Sequence, residues 1–208
     1  MEPITDFYFF LVSVIFISLS GVMMPGPLFA VTVEKGYKNK AAGALITLGH
    51  GAIEFPLIFL LYLGLSNFFT SASIQKVISL VGGAILIYMG VHAFITRKKK
   101  VHIEYEESKH TSSFIAGILA TGANPYFFLW WATIGTMLIM NAYLFGFIGF
   151  LIFIVIHWSC DFLWNTFVTF TIFKLHRFWG EKMYNLIFLF CFVLLVGFGI
   201  WFIVSAFL

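Results

Sequence analysis

Histidine and acid recur four residues apart at two places in this chain. His50 and Glu54 lie in GHGAIEF (49–55), His157 and Asp161 lie in IHWSCDF (156–162), and each acid is followed by phenylalanine. Residues at i and i+4 share one helix face, so each pair sets an imidazole beside a carboxylate. Imidazole exchanges protons near neutrality without help, and a carboxylate's hold on its proton follows its burial and its charged neighbours. A converged set of this kind suits proton coupling. The same two imidazoles and two carboxylates are a ligand set for a divalent transition-metal ion, which is the leading alternative. A third use, acid–base or metal-assisted catalysis, finds no HExxH motif and no serine or cysteine nucleophile motif in the chain. The reading is therefore not an enzyme.

These groups sit in a sequence that is 61% hydrophobic and 10% charged, against about a quarter charged in soluble domains. A soluble globule is excluded, and an all-α integral membrane protein is expected. Seven of the nine acids (Glu2, Asp6, Glu34, Glu104, Glu106, Glu107, Glu181) fall at ends or in polar connections, leaving Glu54 and Asp161 inside. An acid at the centre of a membrane helix costs about 2.5–3.5 kcal/mol to insert, so these two are expected to face inward. Cys160 and Cys191 both lie in apolar stretches and read as small hydrophobes. With Glu2 and Asp6 but no Lys or Arg, the start of the chain lacks the basic region of a cleavable signal, and the first apolar stretch is expected to be retained.

Six stretches are long enough to cross a bilayer: 6–33, 41–65, 74–95, 113–139, 143–172 and 184–207. The first, third and fifth connections hold three, five and three Lys or Arg, eleven of the twelve in the chain, with Lys76 the exception. Basic connections stay in the cytoplasm, so the loops near 34–40, 96–112 and 173–183 are expected inside and both termini outside. The RKKK run at 97–100 adjoins a span and reads as a topology and lipid-headgroup signal rather than a nucleic-acid site.

The order of features repeats. MMPGPLF (23–29) in the first span answers GANPYFF (122–128) in the fourth, and the His–acid pair of the second span answers that of the fifth. The chain is thus expected to be one transmembrane domain, residues 1–208: repeat one about 6–95, a cytoplasmic linker about 96–112, and repeat two about 113–207. Three spans per repeat invert the second copy, an arrangement associated with secondary transporters and alternating access. Proline removes an N–H and disfavours helix before it, so the first span should break at Pro25, Gly26 and Pro27, and the fourth at Asn124 and Pro125. The half-helices beyond these breaks would direct backbone N–H groups at a substrate carboxylate. Trp130, Trp131, Trp158 and Trp164 could line the path.

The residues so described resemble the lysine exporter (LysE) type translocators over essentially the whole chain. The resemblance rests on Pro25-Gly26-Pro27, KAAG at 40–43, Gly49 five before the acid at 54, Gly64-Leu65, and FIAGILATGANP with Phe114, Gly117, Asn124 and Pro125. It implies a six-span inner-membrane exporter of amino acids or related small solutes, proton-driven and homo-oligomeric, with no cofactor. On that reading Glu54 and Asp161 hold the substrate ammonium or the exchanged proton, His50 and His157 tune or relay, and Asn124 with the proline breaks receives the carboxylate. The chain departs from the pattern at Glu54, where the family's amino-acid exporters usually carry Asp, at Ile53 and at Tyr126. His50 and His157 are further departures.

Overall fold

The structure, a computed structural model, describes residues 6–65, 68, 71–96, 110–178 and 181–207. The basic run at 97–100 and the acidic run at 104–107 lie outside the described residues. Hydrocarbon offers no water to backbone groups, so a spanning chain must satisfy them within itself. Accordingly the described elements are helices throughout: α1 (Phe7–Val22), α2 (Pro27–Gly36), α3 (Ala42–Tyr62), α4 (Ala72–Thr96), α5 (His110–Gly122), α6 (Pro125–Trp130), a π turn (Trp131–Gly135), α7 (Thr136–Tyr143), α8 (Gly146–Leu175), a 3-10 turn (His176–Phe178) and α9 (Glu181–Ser205).

Four segments, Ala42–Tyr62, Ala72–His92, Gly146–Leu175 and Asn185–Ser205, are long and apolar enough to cross a membrane. α1 and α2, bent by 74° at their break, make a fifth if taken as one span. The protein is a multi-pass integral membrane protein. The stretch 113–139 is not one continuous helix but divides after Gly122 and again softens at the π turn. The connection expected at 140–143 is helical. The turn falls instead at Leu144 and Phe145, where Gly146 takes φ +70°, a conformation that favours a residue without Cβ.

Both proline breaks have the same local cause. Asp6 first caps α1 by accepting from Phe9 N–H at 2.8 Å. The helix then runs out at Met23, and Gly26 is extended with Pro27 as the first helical residue of α2. Proline there gives up a donor that a helix start leaves unpaired anyway. Pro125 opens α6 in the same way, behind an extended Asn124 whose Oδ1 accepts from Tyr126 N–H at 3.1 Å. The π turn that follows is filled by Thr136, whose hydroxyl donates to Trp131 O at 3.0 Å.

The helices approach closely at glycines. A Cβ on Gly49 would stand 2.1 Å from Phe114 O, and one on Gly117 would stand 2.2 Å from Ile46 O, so α3 and α5 cross backbone on backbone. α4 and α9 do likewise: a Cβ on Gly83 would meet Gly199 O at 2.6 Å, and one on Gly199 would meet Gly83 O at 2.7 Å. Ring contacts fix the ends. Phe7 and Phe145 (5.0 Å) and Tyr62 and Tyr143 (5.9 Å) meet at one end, Tyr37 and His176 (5.0 Å) at the other.

Two apolar cores result. One, rich in small side chains, gathers Ala30, Val31, Ala42, Ile46, Ala120 and Leu195. The other, rich in rings, gathers Phe10, Leu57, Trp131, Leu138, Phe150 and Phe153. α3 contributes Ile46 to the first and Leu57 to the second. His50 and Glu54 lie between them. Exposed Phe16, Val155, Leu163 and Phe167 form part of the outer surface, which suits a lipid solvent.

Gly49→Ala and Gly117→Ala are each expected to lower stability by about 1–3 kcal/mol through overpacking. Their double variant should lose less than the sum, because one crossing carries both. Unfolding midpoints in detergent check this, and strict additivity would refute the shared crossing.

Candidate functional site

The site is built from two buried polar stripes. On α3 the buried polar positions are Thr47, His50 and Glu54. On α8 they are His157, Asp161, Asn165 and Thr169, each four residues from the next. α3 and α8 pack so that Gly43 lies against Asn165 and Thr169, where a Cβ would stand 2.2 Å from Asn165 O. That contact draws the stripes together.

The four sequence-selected side chains meet at the join. His50 Nε2 lies 3.0 Å from Glu54 Oε1 and His157 Nε2 lies 3.2 Å from the same oxygen. Asp161 Oδ2 stands 3.5 Å from His157 Nε2 and 4.0 Å from His50 Nε2. All four are at most 5% exposed. Glu54 Oε2 and Asp161 Oδ2 are buried without a hydrogen-bond partner. Among the described residues the ionic partners of these acids are the two imidazoles. With helical rise of about 1.5 Å per residue, Glu54 is about 18 Å from the Ala42 end of α3 and Asp161 about 21–22 Å from either end of α8. The cluster is at mid-depth in both helices.

The far nitrogens of the imidazoles are held by residues that the sequence reading did not select. His157 Nδ1 is 2.7 Å from Ser18 Oγ on α1, and His50 Nδ1 is 2.9 Å from Thr121 Oγ1 on α5. Both hydroxyls are buried and lie shortly before the two proline breaks. Serine and threonine are common in apolar helices, and nothing in their spacing marked these two. Asn165 carried a signal, because it continues the four-residue stripe from His157 and Asp161. It donates to Asp161 O at 2.9 Å and accepts from the Thr32 hydroxyl at 3.1 Å, tying α2 to α8. Pro56, also unselected, sits inside α3 two residues after Glu54 and removes a backbone donor from that turn.

Aromatic rings close the cluster. Trp130 stacks on His157 at 5.7 Å and 25°, Trp131 meets it edge-on at 4.9 Å, and Phe127 meets His50 edge-on at 5.3 Å. Trp158 packs on Phe55 at 5.6 Å instead. Trp164 lies in the wall of a separate groove of about 470 Å³ between α1 and α8, lined mostly by apolar side chains such as Ile15, Leu19, Leu163 and Phe167. Pro25 lies in the first break, Gly26 caps α2 without a side chain, and Pro27 and Pro125 are first helical residues. Asn124 Oδ1 accepts the α6 cap hydrogen bond from Tyr126 N–H.

A family model described as LysE type translocator matches residues 19–206 of the chain. The chain belongs to the LysE type translocator family. No curated protein and no solved structure matches it. As a LysE type translocator the protein serves membrane transport of small solutes, in a family of transporters rather than enzymes. The translocator's resemblance motifs fall at structural joints. Pro25-Gly26-Pro27 forms the first break, Gly49 and Gly117 form the α3–α5 crossing, and Asn124-Pro125 forms the second break.

Glu54 holds two imidazoles and Asp161 Oδ2 holds no hydrogen bond, so their removal should differ. Glu54→Gln is expected to cost about 3–5 kcal/mol, as for breaking a buried pair, and Asp161→Asn, whose imidazole contacts are longer at 3.5 and 4.0 Å, should cost less. Equal losses in unfolding midpoint would refute this division of roles.

Proposed function

We propose that the chain is a proton-coupled secondary exporter of small solutes working by alternating access, with His50, Glu54, His157 and Asp161 as its coupling and substrate-binding centre. One observation carries the reading: acids and imidazoles from two different helices converge at mid-depth, between two apolar cores and beside both helix breaks. Buried ionisable groups in a membrane protein are costly and mark substrate or proton pathways.

The six-span layout with inverted repeats is part of this proposal. Pair α1–α2 with α5–α7, α3 with α8, and α4 with α9. The contacts then exchange in kind: Thr121 on His50 answers Ser18 on His157, and the reciprocal Gly83–Gly199 approach pairs α4 with its own counterpart. Orientation follows from charge. Lys35, Lys38 and Lys40 share an end with Lys174, as the Tyr37–His176 contact and Lys38 over the Phe188 ring (4.9 Å) attest. We place that end, and the linker 97–109, in the cytoplasm of an inner membrane, with both termini outside.

Amino acids are the cargo class that the family resemblance implies. The uncapped N-terminus of α2 offers its first backbone N–H groups to a carboxylate, and Glu54 and Asp161 offer acceptors to an ammonium group. The proline breaks, with the 74° bend between α1 and α2, supply the joints about which the two states would differ. The repeats in this reading span about 6–95 and 113–207, and self-association of copies accompanies it.

In proteoliposomes, counterflow of a transported solute should depend on the pH gradient, and Glu54→Gln or Asp161→Asn should reduce it by at least about tenfold, the equivalent of about 1.4 kcal/mol. Undiminished counterflow in both variants would sink the assignment. For orientation, single cysteines at Asn39 and at Gly64 should be labelled by impermeant reagents from the inside and the outside respectively. The reverse pattern would invert the topology.

A further inference from the structure

We propose that the cluster of His50, Glu54, His157 and Asp161 is a four-ligand site for a divalent transition-metal ion of the zinc class, and that this ion is the cargo. The cargo half of the proposal rests on the transporter reading above, while the site half rests on geometry alone. Bonds of about 2.0–2.2 Å to nitrogen and oxygen place neighbouring tetrahedral ligands about 3.3–3.5 Å apart. The four imidazole–carboxylate contacts are 3.0, 3.2, 3.5 and 4.0 Å. Donor atoms of His50, Glu54 and Asp161 all lie within 4.8 Å of one another, and His157 Nε2 faces the same two carboxylates. His50, Glu54 and Asp161 already form a compact donor set, and a rotation of His157 toward them would complete a four-ligand centre.

Three further observations point to a cation. Glu54 Oε2 and Asp161 Oδ2 are buried oxygens without a hydrogen-bond partner, and Asp161 Oδ2 faces both imidazole Nε2 atoms. Two carboxylates and two neutral imidazoles carry a charge that one dication neutralises. The Nδ1 atoms rest on the hydroxyls of Ser18 and Thr121. A hydroxyl can accept as well as donate, so each can take an Nδ1–H when Nε2 turns its lone pair to a metal. Ligating histidines are characteristically fixed through the other ring nitrogen in this way. Two nitrogens and two oxygens favour zinc, cobalt or copper over magnesium and calcium, which take six or more oxygens. A bare ion also fits between side chains already in contact, whereas an amino acid would require them to part.

The test uses the purified full chain, stripped of metal, in lipid nanodiscs. Titration with Zn²⁺ should show one ion bound per chain. Co²⁺ should give the intense visible absorption of tetrahedral coordination, and Mg²⁺ should not compete. Glu54→Gln and His157→Gln should abolish the Co²⁺ spectrum. Ser18→Ala and Thr121→Val, which remove no ligand, should weaken binding by about 10–100-fold. Proteoliposomes loaded with a zinc-sensitive dye should then report Zn²⁺ entry. Absence of Co²⁺ and Zn²⁺ binding to the parent protein would overturn the proposal. So would binding that survives in both ligand variants, or binding without flux. Amino-acid counterflow measured on the same vesicles judges the transporter reading separately, so a protein that moves amino acids and binds no metal would refute this inference alone.

Discussion

The structure turns on one carboxylate oxygen. Glu54 Oε1 receives imidazole nitrogens from two helices that lie about a hundred residues apart in sequence, at 3.0 and 3.2 Å. In water this would be a minor contact. At mid-depth in a membrane, an acid with no partner costs several kcal/mol, so α3 and α8 are held to the one register in which their polar stripes face each other. Gly43 permits that register, since any Cβ there would run into the α8 backbone at Asn165. The two apolar cores form on either side of this contact.

The cores are unlike each other, and the difference follows from what each must do. Where α3 and α5 cross backbone on backbone, alanine and glycine are needed, and the nearby core is accordingly small in its side chains. Between α1, α7 and α8, phenylalanine and tryptophan fill the core: Phe10 lies between Phe145 (5.4 Å) and Phe153 (6.2 Å). Without a hydrophobic driving force between helices in lipid, packing of small residues and buried hydrogen bonds supply the association. Both are present, one at each crossing and the other at the cluster between the cores.

Much of this was legible in the residues. The i, i+4 pairs required helices, and their acids required the imidazoles as partners because no Lys or Arg shares their stretches. Pro25-Gly26-Pro27 and Asn124-Pro125 had to interrupt helices because proline lacks the donor. Other features were not legible. The turn at Leu144 and Phe145 comes directly after the polar MNAY run (140–143) rather than within it, since Asn141 donates to Met137 O and remains helical. Polarity alone misplaces such a turn when the side chain can fold back on its own helix. Ser18 and Thr121 were invisible because a hydroxyl in an apolar helix ordinarily bonds its own backbone, as Thr47 does to Gly43 O, and only the fold reveals which ones bond outward. Asn124 had a cap signature, an Asn directly before a proline-led helix, and it does cap α6.

That pair of hydroxyls lies just ahead of the two breaks. Ser18 lies on the last turns of α1 and Thr121 on the last turn of α5, each shortly before its helix ends. A straight continuous helix carries a rigid face past the cluster. A helix that ends just beyond its contact can keep the hydrogen bond to the imidazole while the following segment, α2 or α6, takes another direction. On the α2 side the new direction brings Thr32 to Asn165, and so back to the Asp161 backbone. On the α6 side it brings Phe127 to His50 and Trp130 to His157. The second broken segment therefore touches the cluster on both sides of its proline, and the first touches it directly through Ser18 and, beyond its proline, by way of Asn165. On the proposed function, a change in the charge or contents of the cluster would act on both sides of the α5–α6 joint and, through Asn165, on the α1–α2 joint.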